Sequence, residues 1–339
     1  MNFETVHLGP DVTLYRGDCL GVLRATADSS IGLIATDPPY FKVKGEAWDR
    51  QWDNPEAFIS WLGEYCEQWR RVLKPSGSLY CFASPKMAAR VEVEIGRWFN
   101  VLNRIRWTKE AGWHNKNKKE ELRSFLSPWE ECIFAEHYGA DNIAKGEAGY
   151  GAKCDELRGF VFEPLRAYLA GERDRARIQD KDAREKMGLS IKGGGLLCHF
   201  WNRAQWMLPT QEQYTKLQQA FPGYFTRPHE DLRADYEDLR RPFNVTPDVP
   251  YTDVWTFPTV QAYPGKHPCE KPLKMMEHII TVSSREGDVV FDGFMGGGTT
   301  GVACVKTGCR FIGAEIEQGS FDIAVRRISE AQRQGRLFA

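Results

Sequence analysis

Short apolar runs alternate with segments of helical periodicity in the first and last thirds of the chain. Runs rich in β-branched residues predict buried strands, here at 12–15, 31–35, 78–82, 289–291 and 310–313. Apolar residues spaced by three and four from Phe58 to Leu73 predict an amphipathic helix, closed by residues 74–77. Two longer runs, 100–108 and 129–137, predict an antiparallel pair. The pattern predicts an α/β fold with a doubly wound, mostly parallel, seven-stranded sheet.

This alternation breaks between Tyr138 and about Pro250, where charged, Gly-containing and Pro-containing sequence intervenes. We therefore expect two halves of one domain, 1–139 and 251–339, separated by an insert at 140–250.

Within the insert, residues 181–190 resemble the first helix and turn of a helix-turn-helix motif, with 199–203 as the candidate recognition element. The triple glycine 193–195 argues against a regular second helix. A DNA-reading element and a packing module both stay open.

Composition and charge exclude several classes of protein. Forty-five basic against 46 acidic residues give a net charge of −1, so a nucleic-acid contact must be local rather than spread over a basic surface. The nine cysteines contain no Cys-x-x-Cys pair, and the histidines show no ligand spacing, so we expect reduced thiols and no metal. Without a leader or a long apolar run, the sequence predicts a cytoplasmic protein with no membrane partner.

A glycine-rich loop follows the predicted strand 289–291. Glycines let a ligand approach the backbone closely, and Glu315, at the end of the next strand, suits the ribose hydroxyls of a nucleoside cofactor. Gly296, Gly298 and Gly301 also match the dinucleotide fingerprint, so a nicotinamide oxidoreductase is an alternative. A phosphate-binding P-loop fits poorly, because no lysine follows the last glycine.

The strand 31–35 ends in Asp37-Pro38-Pro39-Tyr40. Two prolines restrict the backbone and fix the direction of the Pro38 carbonyl, and the Asp37 carboxylate is a second acceptor beside it. Two acceptors next to an aromatic face can bind both N–H groups of a planar amine while its ring stacks on Tyr40. A capped turn with a packed tyrosine is the structural alternative.

Together these segments resemble the amino-group DNA methyltransferases that use S-adenosylmethionine, in the permuted, β-type arrangement. Asp37, Pro38, Pro39 and Tyr40 stand as the catalytic tetrad, 291–300 as the cofactor loop, and 267–272 as the lysine-proline motif. An aspartate at the first tetrad position is typical of enzymes that methylate N6 of adenine. Alternatives are N4 of cytosine and a non-catalytic DNA-binding regulator on the same fold.

The resemblance also implies the cofactor contacts. Asp18 would meet the adenine of the cofactor, Glu315 its ribose, and Lys271, Thr299 and Thr300 its methionine end. The full predicted set is Asp18, Lys271, Asp292, Phe294, Gly296, Gly298, Thr299, Thr300 and Glu315. The chain departs from the family pattern at Gly293, where proline is frequent, and at Cys269-Glu270, where Thr-Gln is usual.

The substrate implied is double-stranded DNA, whose target base must rotate out of the stack into the pocket. A homodimer is compatible with the sequence. Basic residues beside the tetrad and between the two long strands are the candidate phosphate contacts: Lys42, Lys44, Lys109, Lys116, Lys118, Lys119 and Arg123. The alternative is that these are solvated charged loops.

Overall fold

The computed structural model describes residues 3–43, 45–109, 122–140, 149–157, 159–188, 197–203, 205–245, 250–261, 263 and 269–337. The chain divides into two compact units. One, here called the sheet unit, consists of Met1–Glu136 and Pro242–Ala339. The other, the helical unit, is His137–Arg241 and lies where the strand-helix alternation of the sequence breaks.

One sheet runs through the sheet unit. Its described strands are β1 (Glu4–His7), β2 (Val12–Arg16), β3 (Ile31–Thr36), β4 (Leu73–Ala83), β5 (Asn100–Thr108), β6 (Trp129–Glu136), β7 (Val254–Trp255), β8 (Val289–Asp292) and β9 (Arg310–Glu315). Their order is β1-β2-β9-β8-β3-β4-β6-β5-β7. The five strands from β2 to β4 pair in parallel, whereas β6 is antiparallel to both β4 and β5.

The seven predicted strands are all present, and the mostly parallel α/β fold is confirmed. Two edge strands were not predicted. β1 is largely exposed and so lacks an apolar run, and β7 has only two residues, too few for any periodicity.

Helices cover both faces of the sheet. They are α1 (Cys19–Ala25), α2 (Pro55–Val72), α3 (Ala88–Gly96), α10 (Leu273–Ser283), α11 (Thr299–Thr307) and α12 (Gln318–Leu337). Alternate side chains of β4 enter opposite cores: Tyr80 and Phe82 pack on the α10–α12 side, and Leu79 and Cys81 on the α1–α3 side. This two-sided burial is the doubly wound arrangement.

The predicted amphipathic helix is α2, but its end differs from the prediction. Asn54 caps its start by accepting from the Ala57 backbone N–H at 2.8 Å. The helix ends at Val72, and β4 begins at once with Leu73. Residues 74–77 therefore belong to a strand rather than to a turn, because Leu73 already pairs with Ile31 of β3.

The helical unit has its own apolar core. Its described helices are α4 (Tyr150–Leu157), α5 (Glu163–Arg175), α6 (Asp180–Lys186), α7 (Cys198–Trp201), α8 (Gln211–Ala220) and α9 (His229–Leu239). The candidate recognition element coincides with α7, which has only four residues and buries Phe200 and Trp201 in that core. This burial favours the packing alternative. No described helix of either unit has the length and apolar content of a bilayer span.

Candidate active site

The site lies at the carboxyl edge of the parallel strands. Because β3, β8 and β9 run in parallel, their last residues Thr36, Asp292 and Glu315 emerge at one edge, where ligands bind in open α/β sheets. β3 also pairs directly with β8, Ile34 lying opposite Phe291. The tetrad that follows β3 and the glycine loop that follows β8 consequently line the same pocket.

Asp37 holds one oxygen in an ion pair and leaves the other without a partner. Its Oδ2 binds the ammonium of Lys271, which lies just before α10 and is 8% exposed. Its Oδ1 is buried and has no hydrogen-bond partner among the described residues. Burial raises the pKa of Asp37, which outweighs the lowering by Lys271. An unsatisfied buried oxygen in a ligand pocket is an acceptor available to a ligand.

Tyr40 is fixed at both its backbone and its hydroxyl. Its backbone N–H donates to Asp49 Oδ1 at 2.7 Å, and the same buried carboxylate accepts from Val43 N–H at 2.6 Å. The phenol donates to Glu130 Oε2 at 2.9 Å and accepts from Lys271 Nζ at 3.1 Å. The ring is thereby held against the pocket in one orientation.

Glu130, the second residue of β6, joins two lysines. Its carboxylate pairs with Lys109 and lies 3.3 Å from Lys271 Nζ. Burial alone would raise the pKa of Glu130, but Lys271 and Lys109 lower it to about 2. Burial would likewise lower the pKa of Lys271, but Asp37 and Glu130 raise it above its ordinary value. Glu130 and Lys271 are therefore both charged at neutral pH, a buried carboxylate beside a buried ammonium.

The carboxylate of Asp292 accepts hydrogen bonds that hold the start of the glycine loop. Its Oδ1 accepts from the Thr36 hydroxyl at 3.0 Å and from Phe294 N–H at 3.1 Å, and its Oδ2 accepts from the Thr300 hydroxyl at 2.6 Å. Burial raises its pKa to about 6. Asp292 and Thr300 were both predicted as cofactor contacts, and both line the pocket. Their side chains are, however, hydrogen-bonded to each other.

Glu315 and Asp18 face the pocket from neighbouring strand ends. Glu315 Oε2 accepts from Gly296 N–H at 2.9 Å, and burial raises the pKa of this carboxyl. Gly296 and Gly298 have φ of 48° and 78°, left-handed values that favour glycine. Asp18 caps α1 and accepts from the Tyr65 hydroxyl at 3.2 Å.

An aromatic wall stands beside these carboxylates. The centroids of Trp61 and Tyr65 are 4.5 Å apart, and Phe294 lies 5.4 Å from Tyr65. Apolar ring faces next to carboxylate acceptors suit a flat heterocycle with a polar sugar.

Arg327 of α12 ties the glycine loop to the segment before Lys271. Its guanidinium donates to the Gly297 carbonyl at 2.6 Å, to the Thr299 hydroxyl at 3.4 Å and to Glu270 Oε1 at 2.8 Å. Glu270, one of the departures from the family pattern, is therefore the partner of this arginine. Sequence reasoning did not find Arg327, which lies in the long amphipathic α12.

Gly293, the other departure, is explained by its neighbour Cys19. A Cβ at position 293 would lie 2.1 Å from Cys19 Sγ, far inside contact distance. A proline at 293 could not coexist with the cysteine in this packing.

The predicted DNA contacts differ in their surroundings. Lys42 donates a hydrogen bond to the Asp53 carbonyl at 2.8 Å, and Lys109 forms an ion pair with Glu130. Arg123 is exposed. Lys44, Lys116, Lys118 and Lys119 lie outside the described residues. Of the two tryptophans after the tetrad, Trp52 is buried against Phe58, whereas Trp48 lines the pocket.

Besides Arg327, sequence reasoning also missed Glu130 and Asp49. A signal for Glu130 existed, since two acids, Glu130 and Glu131, open an apolar strand. The antiparallel direction of β6, in which Glu131 pairs with Ala83 at the end of β4, brings the start of β6 to the edge where β3 and β4 end.

Comparison with known proteins gives consistent matches. A family model described as DNA methylase matches residues 31–326. The DNA adenine methyltransferase YhdJ of Escherichia coli (strain K12) is 26% identical over 327 residues, covering 94% of this chain and 83% of that protein. The type II methyltransferase M.BglII of Bacillus subtilis is 26% identical over 342 residues, covering 97% and 71%.

Solved structures show the same fold. The complex of M1.HpyAVI with SAM has a TM-score of 0.51 at 17% identity and covers 94% of this chain and 98% of that one. The cytosine-N4-specific PvuII DNA methyltransferase has a TM-score of 0.54 at 13% identity and covers 98% and 96%.

Proposed function

The chain belongs to the DNA methylase family, and from this premise we propose that it transfers the methyl group of S-adenosylmethionine to the N6 amino group of adenine in DNA. The similarity to YhdJ, named a DNA adenine methyltransferase, and the aspartate at the first tetrad position support adenine as the base. The observation that carries the proposal is Oδ1 of Asp37, a buried acceptor without a hydrogen-bond partner in the described part of the chain, on a residue that lines the same pocket as the glycine loop.

Asp37 and Pro38 bind the amine. Asp37 Oδ1 accepts one N–H of the exocyclic amino group, and the Pro38 carbonyl accepts the other. Drawing on both hydrogens localises the nitrogen lone pair, which in an isolated adenine is delocalised into the ring. The ring stacks on Tyr40, which keeps the nitrogen aligned for attack. Once the new N–C bond forms, Asp37 Oδ1 is in contact with the proton that the nitrogen must lose.

The other side of the pocket fits the cofactor. Asp18 and Glu315 supply carboxylate acceptors for its amino and ribose hydroxyl groups, and the wall of Trp61, Tyr65 and Phe294 supplies flat apolar surface. When bound, S-adenosylmethionine supplies a methyl group on a positively charged sulfur, which is a good leaving group. The residues of this chain then need only to bind and align the two reactants.

The substrate is double-stranded DNA in the cytoplasm. In a duplex the amino group of adenine is covered by its pairing partner, so the base has to rotate into the pocket. Tyr40 is held ready for stacking by its contacts to Asp49 and Glu130. The helical unit is the candidate for target recognition, and Arg123 and Lys42 are candidate phosphate contacts.

The test is methyl transfer by the wild type and by Asp37→Ala. Duplex DNA is incubated with cofactor labelled in its methyl group, and the hydrolysed DNA is separated into nucleosides. We expect labelled N6-methyladenine from the wild type, a fall in kcat of about 100- to 1,000-fold in the variant, and unchanged cofactor binding by calorimetry. Label in N4-methylcytosine would overturn the base assignment, and full activity of Asp37→Ala would overturn the role of the tetrad.

A further inference from the structure

We propose that Lys271 and Glu130 are positioning residues for the target amine, which together orient Asp37 and Tyr40, and that Lys271 does not bind the methionine end of the cofactor. The inference rests on the proposed function, since it assigns a role in the same amine site. It departs from the role that the family resemblance implies for Lys271.

The ammonium of Lys271 contacts three groups of its own chain. An ammonium group has three N–H donors. Lys271 Nζ contacts Asp37 Oδ2, the Tyr40 hydroxyl at 3.1 Å and Glu130 Oε2 at 3.3 Å. Its side chain is 8% exposed. Two hydrogen bonds and the ion pair with Glu130 thus hold the ammonium among groups of this chain, with two carboxylates against its single charge, which disfavours a further carboxylate from the cofactor.

The same contacts decide which oxygen of Asp37 faces the ligand. Lys271 holds Oδ2, so the carboxylate cannot rotate about its last bond without breaking that ion pair, and Oδ1 is the oxygen left open. The choice matters because an amine donor needs a vacant acceptor in a fixed direction. Lys271 therefore acts on the amine through Asp37.

Glu130 completes the arrangement from β6. Its carboxylate accepts a hydrogen bond from the Tyr40 hydroxyl at 2.9 Å and lies beside Lys271. It therefore contacts both the stacking tyrosine and the lysine that holds Asp37. Lys109 pairs with its other oxygen. Two lysines and two carboxylates alternate in this cluster, so no buried charge lacks an opposite neighbour. Replacing Glu130 leaves Lys271 with Asp37 as its one remaining carboxylate partner among the residues that the structure describes.

The first experiment compares Glu130→Gln with Glu131→Gln in methyl transfer to duplex DNA. Glu131 is a matched control, because it is a buried carboxylate on the same strand whose partners are Arg104 and Arg106. We expect Glu130→Gln to lower kcat about 10- to 100-fold, the usual cost of removing a partner that orients a ligand-binding group. Cofactor Kd should stay the same, and Glu131→Gln should keep wild-type kcat.

A pH profile separates positioning from a general structural role. The titratable groups that face Asp37 are Lys271, Glu130, Tyr40, Asp292, Cys81 and Cys132. Burial raises the pKa of both thiols, so they stay neutral. The charge of Glu130 raises the pKa of Asp37, so in Glu130→Gln the acid limb of kcat should move to lower pH. An unmoved limb, or equal losses in both glutamine variants, would overturn the proposal.

The second experiment is Lys271→Met, which keeps an unbranched apolar side chain and removes the ammonium donors. We expect kcat to fall by at least the factor seen in Glu130→Gln, with cofactor binding by calorimetry unchanged. Loss of cofactor binding in this variant would return Lys271 to the methionine end and overturn the proposal. Asp37→Ala tests the proposed function independently: if it is inactive while Glu130→Gln and Lys271→Met are fully active, only the positioning role fails.

Discussion

Two aspartates lie at the ends of adjacent strands, Asp37 after β3 and Asp292 at the end of β8. They differ in how many of their carboxylate oxygens accept hydrogen bonds from the chain. Asp292 has three donors from its own chain, the hydroxyls of Thr36 and Thr300 and the N–H of Phe294. Asp37 has one oxygen held by Lys271 and one with no partner among the described residues. Burial raises the pKa of both carboxyls.

The difference separates a carboxylate that builds the pocket from one that meets a ligand. Burial alone does not distinguish them, since both side chains are largely withdrawn from water. The number of internal donors does: a carboxylate whose acceptors are all used stabilises a loop, and one with an unused acceptor can serve the substrate. We therefore expect Asp292→Ala to lose more stability than Asp37→Ala, and Asp37→Ala to lose more activity than Asp292→Ala.

The largest expected effect on stability is that of Asp292→Ala. It leaves the two buried hydroxyls of Thr36 and Thr300 and the half-buried Phe294 N–H without their acceptor, at about 1–3 kcal/mol for each buried group, partly offset by the removal of a buried charge. We expect the free energy of unfolding to fall by about 3 to 5 kcal/mol in urea titrations without cofactor. Asp37→Ala should lose less stability and far more activity. The reverse ranking of the two variants would contradict the distinction.

A second test uses pH. The folded-state pKa of Asp292 is about 6, above its ordinary value of 3.8, so the folded protein binds the extra proton between these values. This group therefore stabilises the fold most at low pH, and its contribution is lost as pH rises through about 6.

Asp292→Asn removes this dependence. The unfolding free energy of the variant relative to wild type should rise by about 2.4 kcal/mol between pH 4 and pH 7, since each pKa unit is worth 1.36 kcal/mol and part of the shift falls below pH 4. Urea unfolding of both proteins at each pH measures it, and other titrating groups cancel in the difference. A constant difference across this range would mean that Asp292 has an ordinary pKa.

The smallest effect concerns Gly293. In Gly293→Ala the new Cβ would lie 2.1 Å from Cys19 Sγ, so the loop or the thiol must shift. Overpacking of this kind costs about 2 kcal/mol. Adding Cys19→Ala removes the sulfur, although the Cβ at 19 stays 3.3 Å away, so the double variant should regain part of the loss. Additive losses in thermal unfolding would show that the two residues do not clash.

The features that could be predicted from the sequence are those that a continuous segment encodes by itself. Apolar runs gave the strands, and Asp37-Pro38-Pro39-Tyr40 and the glycine loop gave the two sides of the pocket, because each is a continuous stretch with its own backbone requirements. What a continuous stretch cannot encode is which partner a charged side chain meets. Lys271 and Asp37 are 234 positions apart and meet only because their segments end at one edge of the sheet.

Glu130 was missed for a related reason. Its place in the site depends on β6 running antiparallel to β4. The sequence predicted an antiparallel pair of 100–108 and 129–137, but not which strand of that pair lies beside β4. The antiparallel pairing with β4 puts the start of β6, rather than its end, beside the tetrad. The spacing of Lys109 and Glu130 along the chain says nothing of their contact, which comes from the hairpin of β5 and β6.

Arg327 connects two segments that line the pocket, the glycine loop and the residues just before α10. Its guanidinium binds the glycine loop at Gly297 and Thr299 and also holds Glu270, the residue before Lys271. A single rigid planar group thus joins the loop to the backbone that carries the Lys271 ammonium. Because one side chain holds both segments, we expect that ordering either of them on ligand binding lowers the conformational entropy that remains to be lost by the other.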